Sequence, residues 1–96
     1  MQFRLRLSTE AKATIERLAK QESKKHKKIL KTLGLIEVNL KHPSLRTHKF
    51  SSLEGPNREE VFEAYVENKT PAAFRVFWFY GPNPEEITVI AITPHP

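Results

Sequence analysis

The chain has 96 residues, 39% hydrophobic and 28% charged, with a net charge of +5 and no cysteine. A chain this short buries roughly 60–65% of its unfolded surface, enough for one modest core, so a single domain over residues 1–96 is expected. The absence of cysteine excludes disulfides, thiolate nucleophiles and Cys-based zinc sites, no run of 18 apolar residues offers a membrane span, and the charged N-terminus does not read as a signal peptide; a reducing cytoplasm is the expected compartment.

The charge is unevenly placed. Residues 1–50 hold 13 Lys and Arg against 4 Glu, whereas residues 51–96 hold 3 against 7, and Asp is absent throughout. A basic first half fits an anionic partner, either nucleic acid or an acidic protein segment. It equally fits a lysine-rich helix whose charged face is simply solvated.

In chain order, "QFRLRL" alternates apolar Phe3, Leu5 and Leu7 with Gln2, Arg4 and Arg6, the pattern of a half-buried strand. Ser8 is a helix N-cap and Glu10 a first-turn acid for a helix reaching about Gln21, carried by Ala11, Ile15, Leu18 and Ala19. From Ser23 a second amphipathic helix uses Ile29, Leu30, Leu33, Ile36, Val38 and Leu40. Gly34 costs that helix about 1 kcal/mol relative to Ala, which suggests a close contact or a bend. The run "KQESKKHKKILK" places six lysines around the junction of these helices. Such a cluster attracts phosphates without reading base sequence.

Pro43 ends the helical part, "THKF" can open a strand, and "SSLEGPNREE" reads as turn chemistry. "EVFEAYVE", "AFRVFWFY" and "ITVIAIT" then follow as strands joined by short Pro- and Gly-containing loops. The expected fold is α+β, in the order β-α-α-β-β-β-β. Two N-terminal helices cover one face of a four- to five-stranded antiparallel sheet.

Alternation sorts the strand residues by face. Phe62, Ala64 and Val66 belong with Phe74, Val76 and Trp78 under the helices. Glu63 and Tyr65 then share the open face with Arg75, Phe77 and Phe79, where the two phenylalanines are expected to leave an apolar patch exposed. Glu63 and Arg75 form either a cross-strand ion pair or an anion site in which the guanidinium holds a phosphate and the carboxylate takes a proton. Tyr65 can stack on a base. His42, His48 and His95 match no metal-ligand spacing, so no metal and no cofactor is expected. His95, following the last strand, is either an exposed tail residue or an acid–base group beside Arg75.

The succession of "LSTEAKATIERL", "VFEAYV", "FRVFWFY" and "ITVIAITPHP" resembles the RelE/ParE superfamily of bacterial toxins over essentially the whole chain. "VFEAYV" is similar to that family's aromatic-Glu-Leu-Arg strand and "FRVFWFY" to its Tyr-Arg-Val/Leu-x-Tyr strand. The resemblance implies the toxin of a type II toxin–antitoxin module, neutralised by an acidic cognate antitoxin. Members similar to RelE, YoeB and HigB cleave mRNA on the ribosome without a metal; ParE-like members inhibit DNA gyrase instead and lack the nuclease residues. By position, Arg75 matches the arginine that holds the scissile phosphate, and Glu63 the glutamate of the preceding strand. His48 and His95 are further candidates for proton transfer, and Arg46, Lys49 and Tyr65 for holding the substrate. Tyr65 stands where RelE-like and HigB-like members carry Arg or Lys, and no basic cluster follows the last strand.

Overall fold

The computed structural model describes residues 2–67 and 73–94. Strand β1 (Arg4–Leu7) leads into helices α1 (Thr9–Gln21) and α2 (Ser23–Val38); a 3₁₀ turn (Pro43–Leu45) precedes strands β2 (His48–Glu54), β3 (Glu60–Tyr65), β4 (Phe74–Tyr80) and β5 (Glu86–Pro94). The order is the expected β-α-α-β-β-β-β. Ser8 caps α1 as read from the sequence, its Oγ accepting from the Ala11 N–H at 3.0 Å. The same hydroxyl donates to the Ile90 carbonyl at 2.8 Å, which seats the start of α1 on the sheet.

The five strands lie in the order β1-β5-β4-β3-β2. Strands β2 to β5 are antiparallel, as short hairpin connections require. Strand β1 differs from the expectation of an all-antiparallel sheet, because it runs parallel to β5, with Arg4 opposite Glu86 and Leu7 opposite Val89. Two helices separate β1 from the other strands, so no tight turn constrains its direction. Strand β2 also extends the reading: Ser51–Glu54 are strand rather than turn, and the turn begins only at Gly55, whose N–H donates to the Glu59 carbonyl at 2.9 Å.

The core between helices and sheet contains Leu18, Ile29, Ile36, Val76, Trp78, Ile87, Val89 and Ile92. Residues 87 and 89 share a strand face with 91, not 92. A bulge resolves this, because Phe77 pairs with Ala91 while Trp78 pairs with Val89, which inserts Ile90 and brings Ile92 back to the helix side. Leu30 and Val38 lie off the core stripe of α2 and are exposed, and the helix stops at Val38. Gly34 permits no close approach: a methyl group added there would meet nothing within 4 Å, and α2 runs through it from Ser23 to Val38. Among the described residues no helix is long and apolar enough to cross a membrane.

The open face carries a correction. Phe77 and Phe79 were expected to form an exposed patch, yet they are 3% and 4% exposed. The register of β2 on β3 slips between Lys49 and Glu54, and β2 sets Phe50 against Phe77 at a ring-centroid distance of 4.8 Å. Val61, Phe77 and Phe79 are therefore buried outside the main core, a small second core under β2.

Candidate functional site

Cross-strand register assembles the site. His48 of β2 lies opposite Glu63 of β3, and Tyr65 of β3 lies opposite Arg75 of β4. All four side chains fall on the face away from the helices. Arg46, left-handed at φ 47° where the chain leaves the 3₁₀ turn, approaches from the edge.

Arg75 is buried rather than presented to solvent. Its guanidinium lies 3.8 Å from the centre of the Tyr65 ring. Nη1 donates to the carbonyls of Glu67, Phe74 and Ala73 at 2.8, 3.2 and 3.4 Å, and Nε is 3.9 Å from Glu63 Oε2. A cation can be buried where carbonyl dipoles, a π face and a carboxylate together replace its water. The arginine in the apolar run of β4 thus organises the interior beneath the site. The Glu63–Arg75 pair expected from the sequence is present, but it is buried rather than on an open surface, and the guanidinium lies under Tyr65 with one edge occupied by carbonyls.

Glu63 is also buried, at 2% exposure, and its Oε1 accepts from His48 Nε2 at 2.8 Å. The His48 side chain is 47% exposed, and its Nδ1 lies 2.8 Å from the Arg46 carbonyl. Two acceptors thus face the two ring nitrogens. The neutral ring satisfies one and the doubly protonated ring satisfies both. His48 also meets the edge of Tyr65, with centroids 5.8 Å apart, and the Arg46 guanidinium lies 5.9 Å from the Tyr65 ring centre. Tyr65 therefore stands among Arg46, Arg75 and His48.

The structure brings together Arg46, His48, Glu63, Tyr65 and Arg75. Lys49 is not among them: it lies opposite Phe62, on the other strand face, and pairs with Glu60 at 3.0 Å with both groups exposed. His42 is occupied in the 3₁₀ turn, where its Nδ1 accepts from the Ser44 N–H at 3.1 Å. His95 lies outside the described residues. Glu67 is the residue that sequence reasoning missed. Its carbonyl accepts from Arg75, and its carboxylate meets Lys25 and Lys28 of α2 at 3.5 and 3.1 Å. Glu67 is the last residue of the alternating segment "EVFEAYVE" and lies two positions past the end of β3, and nothing in that pattern marks it.

No protein-family model and no curated protein matches the chain. Solved structures do. A chain of the archaeal RelE–RelB complex from Pyrococcus horikoshii OT3 is 16% identical, with 98% of this chain and 96% of that one aligned at a TM-score of 0.67. The YoeB/ParE toxin from Agrobacterium tumefaciens is 12% identical over 98% of this chain and all of that one, at 0.73. A chain of the YoeB–YefM complex from Staphylococcus aureus is 15% identical over the full length of both, at 0.68. The protein has the fold of the RelE, YoeB and ParE toxins.

Proposed function

We propose that this chain is the toxin of a type II toxin–antitoxin module and that it inhibits translation in the cytoplasm by cutting mRNA on the ribosome. The observation that carries the reading is a half-exposed histidine fixed by a buried carboxylate, beside an aromatic ring flanked by arginines. Metal-free RNA cleavage needs such a proton carrier next to positive charge.

In this reading the 2′-hydroxyl oxygen bonds to the adjacent phosphorus and the P–O5′ bond breaks, leaving a 2′,3′-cyclic phosphate and a 5′-hydroxyl. His48 takes the proton of the 2′-hydroxyl. Glu63 holds Nε2–H, so Nδ1 is the accepting nitrogen once the Arg46 carbonyl is displaced, and the resulting imidazolium faces the Glu63 carboxylate. Glu63 itself is too deeply buried to reach substrate. Arg46 is the exposed cation for the crowded phosphate, Tyr65 the stacking platform, and Arg75 the residue that fixes both Tyr65 and Glu63. His95 is the candidate acid for the leaving 5′-oxygen.

The partner in this reading is an acidic antitoxin. Solved neighbours include complexes with RelB and YefM, and exposed lysines 20, 24, 27 and 31 offer the complementary charge on the helices. A second reading, a non-catalytic toxin that binds DNA gyrase, is favoured by one observation: Arg75 is buried, with Nη1 already donating to three carbonyls. Induced expression separates the two. Rapid loss of protein synthesis without a DNA-damage response supports mRNA cutting, and a DNA-damage response with intact mRNA supports gyrase binding.

A further inference from the structure

Tyr80 ends β4 on the helix side of the sheet, on the opposite face from His48. Its ring is fixed by Trp78, Phe62 and Phe3, at centroid distances of 4.9, 5.5 and 5.8 Å. Nevertheless Tyr80 is 49% exposed, more than Leu53 and far more than any other aromatic residue of β4. A large aromatic side chain held rigid and half in solvent is a ready stacking surface. Its phenol is pushed above the usual range by burial, so at neutral pH the hydroxyl stays protonated and uncharged.

Two adjoining cavities open on this ring and share Leu40, Lys41 and Tyr80. One, of about 360 Å³, has apolar walls from Phe3, Val38 and Leu40. The other, of about 380 Å³, is bordered by Lys41, His42 and Arg46. Neither is lined by an acidic residue. Lys41 and Arg46 make no ion pair among the described residues, unlike Arg4, Arg6, Lys25, Lys28 and Lys49. Arg46 also reaches the Tyr65 ring, so this cleft adjoins the His48 site through a shared side chain.

We propose that the Tyr80 cleft is a subsite for single-stranded nucleic acid, with a base stacked on Tyr80 and its phosphate held by Lys41 and Arg46. An apolar slot beside a rigid aromatic ring suits a base, and uncompensated cations on one side suit the backbone; this pairing of stacking with charge is how single strands are held without reading sequence. The proposal rests on the RNA-cleaving reading for its biological sense. In that reading, a strand leaving the His48 site passes Arg46 and places a neighbouring nucleotide against Tyr80.

The test is fluorescence anisotropy with the full chain and a labelled 2′-O-methyl oligouridylate of roughly ten nucleotides, which spans such a site and lacks the hydroxyl needed for cutting. Tyr80→Phe is expected to bind like wild type. Tyr80→Leu and Lys41→Glu are each expected to bind about tenfold more weakly, and Lys41→Glu to reduce the slope of log affinity against log salt by about 0.7. Lys12→Glu, an exposed position on α1, serves as the charge control and is expected to stay within about twofold. Thermal melts verify folding, and Lys41→Glu, at an exposed position, keeps the test decisive should Tyr80→Leu fold poorly. Wild-type affinity in a folded Tyr80→Leu, or in Lys41→Glu, overturns the proposal. So does a wild-type protein that binds oligoglutamate but not the oligonucleotide. Oligonucleotide binding that depends on Tyr80, with mRNA left uncut in cells, sinks the cleavage reading and leaves the subsite standing.

Discussion

His48 Nε2 and Glu63 Oε1 lie 2.8 Å apart, joining a half-exposed imidazole to a carboxylate that is 2% exposed. The pair therefore divides its roles between surface and interior. Substituting Glu63 by Ala removes the buried negative charge near Arg75 and is expected to destabilise the fold by about 3 kcal/mol or more. His48→Ala removes one charge-assisted hydrogen bond at the surface and is expected to cost only about 1.5–3 kcal/mol. Urea denaturation of the two variants checks the ranking, and equal losses would contradict it.

Arg75 supports Tyr65 from beneath through shape as much as charge. Arg75→Ala leaves a void under the ring and frees three carbonyls, and is expected to destabilise by about 3–5 kcal/mol. Arg75→Lys keeps the charge but neither the planar stack nor the forked donors, so a deficit of roughly 1–3 kcal/mol should remain. Full rescue by lysine, measured by chemical denaturation, would show that only charge matters at this position.

Gly34 occupies the interior of α2 with open space where a side chain would stand. Gly34→Ala is expected to stabilise the protein by about 0.5–1 kcal/mol through helix propensity and the restricted unfolded chain. A higher melting temperature checks it. Gly81 behaves oppositely, because its φ of +116° is strained for any residue with a Cβ; Gly81→Ala is expected to cost about 1–3 kcal/mol.

Burial raises the Tyr80 phenol above its ordinary value near 10. The unfolded chain therefore gives up this proton first as pH rises. Tyr80 contributes its stability below the unfolded value and loses it as pH climbs through the folded one. Melting temperature should fall more steeply as pH rises above about 10 in wild type than in Tyr80→Phe.

Local patterns carried the helices and most strands. Ser8 announced its cap, and alternation in "QFRLRL" and "VFEAYV" placed each residue on the face where it is found. The grouping of Glu63, Tyr65 and Arg75 was legible for the same reason. The burial of Glu63 and Arg75 was not, because it depends on His48 of β2 meeting Glu63 and on Tyr65 and backbone carbonyls enclosing Arg75. The direction of β1 and the Ile90 bulge were hidden for a related reason, since both arise from pairing between segments with no short turn between them or with a register slip inside one strand. Lys49, one residue from His48, shows how a single step in register removes a candidate from the site.

The central claim is that His48 moves the proton in mRNA cutting. Its most direct test maps mRNA 5′ ends on translating ribosomes incubated with wild type and with folded His48→Ala. New 5′-hydroxyl ends are expected with wild type and at least ~100-fold fewer with His48→Ala, the scale of losing a general base. Uncut mRNA with wild type, or equal cutting by both proteins, would contradict it.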